Sequence, residues 1–317
     1  MKLSIIIINY NLSNEVKNCI NSLIKVAMGI DYEIILIDNH SEDESIIEVF
    51  NDISKNVQIR MSFFRTERNL GFGNACNLAE KKAVGDWLFF LNPDTIIRDN
   101  IFPKIIAEIN DNYIGKGILG LNVNSNKFID FSAGFFPNYF LEILNIFLVG
   151  RHFEAIFVKL KTLFSRSKKL KVKWVMGAAL LISKNLFEQV ESFDPDYFLY
   201  FEEMDLCKKV SDKKLPITYL SSVKIHHIGS VSSKKNYYFF TKLFYKGKLL
   251  FLKKHSSKLS YFIYQVILFF TILTQILYWQ LMKLRNTEKS SMKIQAFSEI
   301  IKNLGNPIKI NNLTFKK

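Results

Sequence analysis

The fold of this 317-residue chain is decided by the stretch LSIIIINYN, Leu3–Asn11. Its isoleucines follow one another without polar alternation, which is typical of a parallel strand covered on both faces. Two similar runs follow, at Glu33–Asp38 and Trp87–Leu91. Helical patterns separate these runs, over roughly residues 14–27, 43–52 and 72–84. Strands alternating with helices predict an α/β fold with a mostly parallel, Rossmann-like sheet flanked by helices.

Composition and charge narrow the class of protein. A hydrophobic fraction of 49% with 29 Phe supports a large core. Residues 1–150 carry a net charge of −5 and residues 151–317 a net charge of +19, so the second half should face something anionic. Its basic residues are interleaved with membrane-like apolar runs, which argues against nucleic-acid binding. Three cysteines without ligand-like spacing, and no signal-peptide core, predict free thiols in a cytoplasmic protein.

Polar residues follow three of the predicted strands: Asn9–Asn11, Asp38–Asn39 and Asn92–Asp94. Ligands of open α/β sheets bind at the carboxyl ends of the strands, where loops and helix N-termini converge. A single strand-end Asp is more often a helix cap or an Asx-turn. Three polar strand ends on one edge favour a ligand site.

A glycine-containing loop, NLGFGNACN at Asn69–Asn77, leads into the third predicted helix. Gly71 and Gly73 would let the backbone approach a ligand, and the helix start offers N–H groups to an anion. The loop lacks the GxGxxG spacing of a dinucleotide fingerprint, so alone it is a weak signal.

Several motifs in order resemble family 2 glycosyltransferases, most closely their rhamnosyltransferase-like branch: IIINYN, LIDNHSEDES, RNLGFGNACN, LNPDT, VMGAALLISK, FDPDYFLYFEEMDLCKK and IHHIGSVSS. The resemblance covers about residues 3–235. It implies a GT-A fold, a nucleotide-sugar donor (dTDP- or UDP-linked, with dTDP-rhamnose leading), a divalent metal and inversion at the anomeric carbon. The membrane attachment predicted below would suit an acceptor carried on a lipid diphosphate, so we expect the acceptor to be a lipid-linked surface polysaccharide or O-antigen unit.

The same resemblance implies the donor residues. Tyr10 and Asn11 would line the base pocket, Asp38 would accept a hydrogen bond from the pyrimidine N–H, and Asn92 would bind ribose. The full nucleotide-sugar-binding set is Tyr10, Asn11, Asp38, Asn69, Gly71 and Asn92.

The metal ligands are predicted to be Asp94 and His226, holding Mn²⁺ or Mg²⁺ against the leaving diphosphate. Asn92 replaces the first acid of the family's usual DxD triplet, which leaves Asp94 as the carboxylate ligand. In the family the first His of the later motif reaches the metal, and His227 would then point to the other face of the strand. The reverse assignment of the two histidines stays open.

Inverting transfer needs a general base beside the acceptor hydroxyl. The family pattern Glu-Asp-x-Asp-Leu puts the base at Glu203, with Glu202 as the alternative. Asp194 and Tyr200, among the neighbouring acids and aromatic residues, are predicted to bind the acceptor. The competing interpretation is an acidic first turn of a helix, favoured by the helix dipole.

The C-terminal region differs in character, so we predict a catalytic domain over residues 1–235 and a basic, helical, membrane-associating region over 236–317. Residues 259–282 contain no charge across 24 positions. The segment is long enough to span a bilayer, but lysines flank both ends and mildly favour one-sided insertion. A buried core helix is the alternative.

A second apolar pattern with i, i+3, i+4 spacing runs through Phe153, Ile156, Phe157, Leu160, Leu163 and Phe164. Basic residues accompany it, at Lys159, Lys161, Arg166, Lys168 and Lys169. The pattern suits either a helix on anionic lipid or a helix packed on the catalytic domain. We therefore predict attachment to the cytoplasmic face of a bacterial inner membrane, peripheral, monotopic or single-span, with a homodimer left open. A non-catalytic scaffold or sugar-binding protein that keeps the fold is the alternative function.

Overall fold

The computed structural model describes residues 2–27, 29–56, 59–111, 114–124, 132–165, 168–228, 236–284 and 287–304. The chain forms two compact units. The first comprises Met1–Phe136, Ala155–Phe198 and Glu202–Gly229; the second comprises Pro137–Glu154, Leu199–Phe201 and Ser230–Lys317. The second unit thus includes two segments that the predicted boundary at 235 assigned to the catalytic domain.

A sheet forms the centre of the first unit. The strands of the described residues are β1 (Lys2–Asn9), β2 (Asp31–Asp38), β3 (Arg60–Arg65), β4 (Trp87–Leu91), β5 (Thr95–Ile96), β6 (Ile118–Asn124), β7 (Ala133–Gly134), β8 (Lys169–Lys171), β9 (Trp174–Val175), β10 (Ala179–Ser183) and β11 (Ile217–His227). The main sheet has the order β3-β2-β1-β4-β10-β6-β11-β5, β8 pairs with β11, and β7 pairs separately with β9. From β3 to β4 all pairs are parallel, as predicted. Antiparallel β10 then makes the sheet mixed.

The helices of the described residues are α1 (Ser13–Val26), α2 (Ser45–Asn56), α3 (Phe72–Glu80), α4 (Phe102–Ile109), α5 (Tyr139–Ile146), α6 (Gly150–Phe164), α7 (Lys184–Gln189), α8 (Glu202–Asp212), α9 (Tyr237–His255), α10 (Lys258–Met282) and α11 (Thr287–Lys302). The first three confirm the helical patterns read from the sequence. A 3₁₀ turn covers Ile114–Lys116.

The sheet of the first unit is buried on both faces. Ile5 and Ile7 of β1 belong to one core cluster with Ile20 of α1, whereas Ile6 belongs to another with Ala75 of α3. This explains why β1 carries an unbroken apolar run, since each face needs its own apolar side chains. The three cysteines are buried free thiols, as predicted.

The second unit is helical. Side chains of α9, α10 and α11 share one core cluster, which includes Tyr245, Leu268 and Phe297. A buried ion pair joins Lys248 Nζ to Glu142 Oε2 at 2.6 Å. The helix α10 coincides with the predicted apolar segment and is long and apolar enough to cross a membrane, by length and composition.

Helix α6 confirms the second apolar pattern as helical. Phe157 contacts Phe135 at 5.5 Å between ring centroids, while Leu163 and Phe164 are 61% and 84% exposed. One position of this prediction, Arg166, lies outside the described residues. Part of the apolar stripe therefore packs on the protein and part remains exposed.

Candidate active site

The carboxyl ends of β1 and β2 meet at Asp38, whose side chain is completely buried. Its Oδ1 accepts hydrogen bonds from Asn9 Nδ2 at 2.9 Å and Ser41 Oγ at 2.5 Å. Arg65 Nε lies 3.2 Å from Oδ2 as an ion pair, although no described residue donates a hydrogen bond to that oxygen. Asp38 was predicted from its strand end; Asn9, Ser41 and Arg65 were not among the predicted site residues, and Asn9 and Arg65 meet Asp38 only because β1, β2 and β3 are neighbours in the sheet.

The two residues that follow β1, Tyr10 and Asn11, lie in different environments. Tyr10 is partly buried, and burial raises the pKa of its hydroxyl, while a hydrogen bond with Asn69 lowers it. Asn11 is exposed with φ of 56°, and its Oδ1 accepts a hydrogen bond from the Glu42 N–H at 2.8 Å. The structure thus brings Tyr10 and Asn69 together, whereas the Asn11 amide oxygen stabilises the adjacent loop.

The glycine loop is held by Asn39, a residue that the predicted donor set omitted. Asn39 Nδ2 donates to Asn69 Oδ1 at 3.0 Å and to the Gly71 carbonyl at 3.2 Å. Its Oδ1 accepts from the Leu70 N–H at 2.9 Å. The position of Asn39 beside Asp38 at the end of β2 was the sequence signal that could have identified it.

Gly71 is required by its conformation and by its neighbour. Its φ is +81°, and a Cβ there would lie 2.1 Å from the Phe198 carbonyl oxygen. The Phe72 N–H donates to that same oxygen at 3.0 Å. The Phe72 N–H, one of the helix-start N–H groups predicted to be available to an anion, is therefore already hydrogen-bonded within the protein.

The turn after β4 positions Asn92 and Asp94. The Asn92 N–H donates to the Ala178 carbonyl at 3.0 Å, and its carbonyl accepts from Thr95 Oγ1 at 2.7 Å. Asp94 is buried, and its Oδ1 lies 3.0 Å from His227 Nε2. The Asp94 carbonyl also accepts from the Ile228 N–H at 2.9 Å. The two strand ends predicted to share a metal site are in contact.

The histidine that contacts Asp94 is His227, whereas the predicted metal ligand was His226 with the reverse assignment open; the metal role of either histidine stays a prediction. The strand β11 has a register shift between Leu220 and Lys224. As a result Leu220, Val223 and Ile225 lie in one core cluster, which advances the side-chain alternation by one residue. His227, two residues after Ile225, then continues the same face.

Two carboxyl groups begin α8 in a buried setting. A Cβ on Gly73 would lie 3.5 Å from Glu202 Cβ, and a Cβ on Gly177 would lie 3.4 Å from Glu203 Cβ. The Oε2 atoms of both glutamates are buried and accept no hydrogen bond from the described residues. The pair therefore lies between the glycine loop and the segment before β10.

Burial controls the protonation of this pair. Burial raises the pKa of Glu203 to about 6, against the lowering effect of N–H groups of Glu203 and Gly177. Burial, with the charge of Glu203 next, raises the pKa of Glu202 well above its ordinary value. Both glutamates lie in the first turn of α8, where the helix dipole favours acidic side chains, and their buried Oε2 atoms distinguish them from a fully solvated turn. Asp205, by contrast, lies 3.4 Å from both Tyr197 Oη and Lys209 Nζ.

The predicted acceptor residues fall in different units. Asp194, in the first unit, accepts the Asp196 N–H at its Oδ1 at 3.0 Å, which is an Asx-turn. Tyr200, in the second unit, has φ of 70° and packs edge-on against Phe240 and Phe244. Both residues have local structural roles, and acceptor binding stays a prediction.

The residues at Asp94 fit a divalent cation that has further ligands. Among the described residues no group of three or more His, Cys, Asp and Glu could hold a metal. Asp94 and His227 supply one carboxylate and one imidazole, donors that suit Mn²⁺. The remaining positions would have to be filled by oxygen atoms of a ligand or of water.

Comparison with known proteins gives consistent results. A family model described as Glycosyl transferase family 2 matches residues 4–173. The chain is 26% identical over 168 residues to the rhamnosyltransferase WbbL of Escherichia coli (strain K12). The aligned region covers 50% of this chain and 58% of WbbL. The chain thus spans little more than half the length of that relative.

Two solved structures are similar in fold. The mannosyltransferase PcManGT from Pyrobaculum calidifontis, in complex with GDP-Man and Mn²⁺, has a TM-score of 0.59 at 10% identity over 93% of this chain and 84% of that chain. GalNAc-T7 with UDP, GalNAc and Mn²⁺ has a TM-score of 0.58 at 15% identity, over 78% and 47% respectively. These likenesses show the fold, and the GT-A arrangement predicted from the motifs is confirmed. The family match ends at residue 173, so Glu203 and His227 lie beyond the matched residues.

Proposed function

The chain belongs to glycosyltransferase family 2, and from this premise we propose that it transfers a sugar from a nucleotide-diphosphate donor to a lipid-linked glycan acceptor, with inversion at the anomeric carbon. Rhamnose is the leading sugar, carried on dTDP, with UDP-sugars as the alternative donors. Similarity to the rhamnosyltransferase WbbL supports this choice. The acceptor would be a surface polysaccharide or O-antigen unit.

The donor base would bind between the ends of β1 and β2. The Asp38 carboxylate, held by Asn9 and Ser41, would accept the pyrimidine N–H. The Tyr10 ring, kept in place through Asn69, would form a wall of the base pocket. Asn92 would bind ribose, since its backbone N–H and carbonyl make its hydrogen bonds to Ala178 and Thr95 and its side-chain amide bonds to none of the described residues.

Asp94 and His227 would hold Mn²⁺ or Mg²⁺. Their 3.0 Å contact places a carboxylate oxygen and an imidazole nitrogen close enough to share one ion. When bound, such an ion neutralises the charge that develops on a leaving diphosphate. Asn92 replaces the first acid of the family's DxD triplet. Asp94, with His227, could still hold a metal without that acid.

Glu203 would be the general base, and the observation that carries the proposal is the buried Oε2 atom of this partly buried residue beside the buried Glu202. Two adjacent carboxyl groups in such a setting disfavour their own ionisation, and perturbed groups of this kind are enriched at functional sites. A base with a pKa of about 6 is deprotonated at neutral pH yet still basic enough to accept a proton. Burial and the neighbouring Glu203 charge also raise the pKa of Glu202 well above its ordinary value, and Glu202 is the alternative base.

Donor binding can be tested by thermal unfolding of the detergent-solubilised protein with UDP or dTDP, with and without Mn²⁺. A ligand at about 100 times its dissociation constant should stabilise the protein by roughly 2.7 kcal/mol. We expect Asp94→Asn and His227→Ala to lose the metal-dependent part of this shift. The neighbouring His226→Ala is the matched control and should keep it. A shift that depends on His226 instead, or no shift with either nucleotide, would contradict the proposed donor site.

Transfer itself can be tested with radiolabelled sugar. Wild-type protein should move label from dTDP-rhamnose into a bacterial lipid extract, and Glu203→Gln should not. A scaffold or sugar-binding protein would bind ligands equally well in both forms and transfer in neither. We place the site of action at the cytoplasmic face of the inner membrane; a homodimer stays a prediction.

A further inference from the structure

Helix α10 has two faces with different environments. Tyr264, Leu268, Thr271 and Ile272 are its buried residues, spaced i, i+4, i+7 and i+8 along one side. Tyr264, Leu268 and Ile272 belong to the core cluster shared with α9 and α11. One side of α10 is therefore packed against helices of its own unit.

The other side of α10 exposes an unusually apolar surface. Only 22% of its most apolar 18-residue window is buried. The exposed large side chains of α10 are Leu259, Phe262, Ile263, Val266, Phe269, Phe270, Leu273, Leu277, Tyr278 and Leu281. A contiguous apolar patch of this kind marks a surface that contacts a partner or a membrane.

The neighbouring α5 extends this surface. Tyr139 stacks on Tyr264 at 4.6 Å between ring centroids, and Tyr264 Oη donates to the Pro137 carbonyl at 3.1 Å. Beside these contacts α5 exposes Phe140, and Phe147 directly after it is 69% exposed. We call the exposed apolar side chains of α10, with Phe140 and Phe147, the apolar face.

A spanning orientation conflicts with the packed side of α10. The helices packed on it carry many charges, including the Lys242–Glu299 pair at 2.7 Å and Lys293. If α10 crossed the bilayer, the attached helices would enter the hydrocarbon with these groups. A helix that packs against charged helices on one side and contacts lipid on the other lies parallel to the membrane, at the boundary between headgroups and hydrocarbon.

The lysines at the ends of α10 indicate which kind of partner covers the apolar face. Exposed lysines stand at both ends of α10, at Lys253, Lys254 and Lys258 before or at its start and at Lys283 after its end. A helix lying in the interface places both groups at the headgroups of one leaflet, where anionic lipids attract them. A second copy of this basic chain would instead bring like charges together.

We propose that the second unit is a one-sided membrane anchor, in which α10 lies parallel to an anionic bilayer with the apolar face inserted and does not cross it. This inference uses the second unit alone and does not depend on the proposed transfer reaction. It selects monotopic attachment from the alternatives that the sequence left open.

Labelling of single cysteines tests the orientation. Lys258 and Lys283 lie at the two ends of α10 and are exposed outside the apolar face, whereas the native cysteines are buried. In the full-length protein, Lys258→Cys and Lys283→Cys should both react with an impermeant maleimide in inverted inner-membrane vesicles and neither in spheroplasts. Reaction of the two sites from opposite sides would overturn the proposal in favour of a span.

Vesicle flotation tests the apolar face. Purified protein should float with phosphatidylglycerol vesicles and bind at least tenfold less to neutral phosphatidylcholine, since each lysine contributes about fivefold near an anionic surface. Phe270→Asp, at a half-exposed position of the face, should reduce flotation by about tenfold or more. Ser291→Asp adds the same charge at an exposed position of α11 and should leave flotation unchanged. Equal loss in both variants, or a soluble dimer that does not float, would refute the anchor.

Discussion

Replacing Glu203 by glutamine should stabilise the protein. Burial moves the pKa of this carboxyl from 4.5 to about 6, and a shift of this size corresponds to about 2 kcal/mol. The folded state binds the Glu203 proton more tightly than the unfolded chain does. The protonated carboxyl therefore contributes fully to the free energy of unfolding below pH 4.5, and this contribution is lost as the pH rises through about 6. Glutamine has the same shape without the charge. The variant should therefore be about 2 kcal/mol more stable than the wild type at pH 7.5 and no more stable at pH 4.

Urea or thermal unfolding at the two pH values measures this difference. At pH 7.5 the melting temperature should rise by about 4 to 8 °C for a unit of this size. Glu48→Gln, at an exposed position of α2, is the matched control and should change neither value. A Glu203→Gln protein that is less stable at pH 7.5, or that differs from wild type equally at both pH values, would refute the reasoning.

The same substitution should remove transfer activity. Because a general base acts in its deprotonated form, the wild-type rate should rise with pH through about 6 and then level off. Glu203→Gln should lose about 10²- to 10⁴-fold in rate at neutral pH. Glu202→Gln should also stabilise the fold but retain activity. If Glu202→Gln is the inactive variant, the roles of the two glutamates are reversed.

Three other substitutions test the architecture by unfolding measurements. Gly71→Ala should cost more than about 2 kcal/mol, since its positive φ and the Phe198 carbonyl at 2.1 Å leave no room for a Cβ; unchanged stability would mean that the loop moves freely. Lys248→Met should cost about 3 to 5 kcal/mol by leaving Glu142 buried without its partner, and adding Glu142→Leu should recover most of the loss. Asn39→Ala removes three hydrogen bonds to the glycine loop and should cost about 2 to 3 kcal/mol while weakening nucleotide binding; tight binding in this variant would argue that the loop does not contact the donor.

Local patterns in the sequence predicted the elements that depend on local physics. The unbroken apolar run of β1 indicated a strand buried on both faces, and the structure confirms it. The strand ends placed Asp38 and Asp94 at the ligand-binding edge, because the carboxyl ends of parallel strands share that edge. The antiparallel β10 was not predicted, since pairing direction is set by how distant segments meet.

Side-chain direction and protonation depended on the tertiary structure. The register shift in β11 decided that His227, and not His226, meets Asp94; the sequence carries no marker for such a shift. The acids at the start of α8 were predicted to supply the base, with an acidic helix turn as the competing interpretation, but only the folded structure shows that their Oε2 atoms are buried. Asn39 became part of the site only through contacts with a loop thirty residues away.

The sequence by itself determined the family, the α/β arrangement and the residue types available for chemistry, because periodicity, strand ends and motif order are properties of neighbouring residues. Only the tertiary structure decided which histidine faces the carboxylate, which carboxyl oxygens at the start of α8 are buried, and which side of α10 is exposed. Each of these depends on the distance and burial between segments far apart in the chain, and those quantities exist only once the chain has folded.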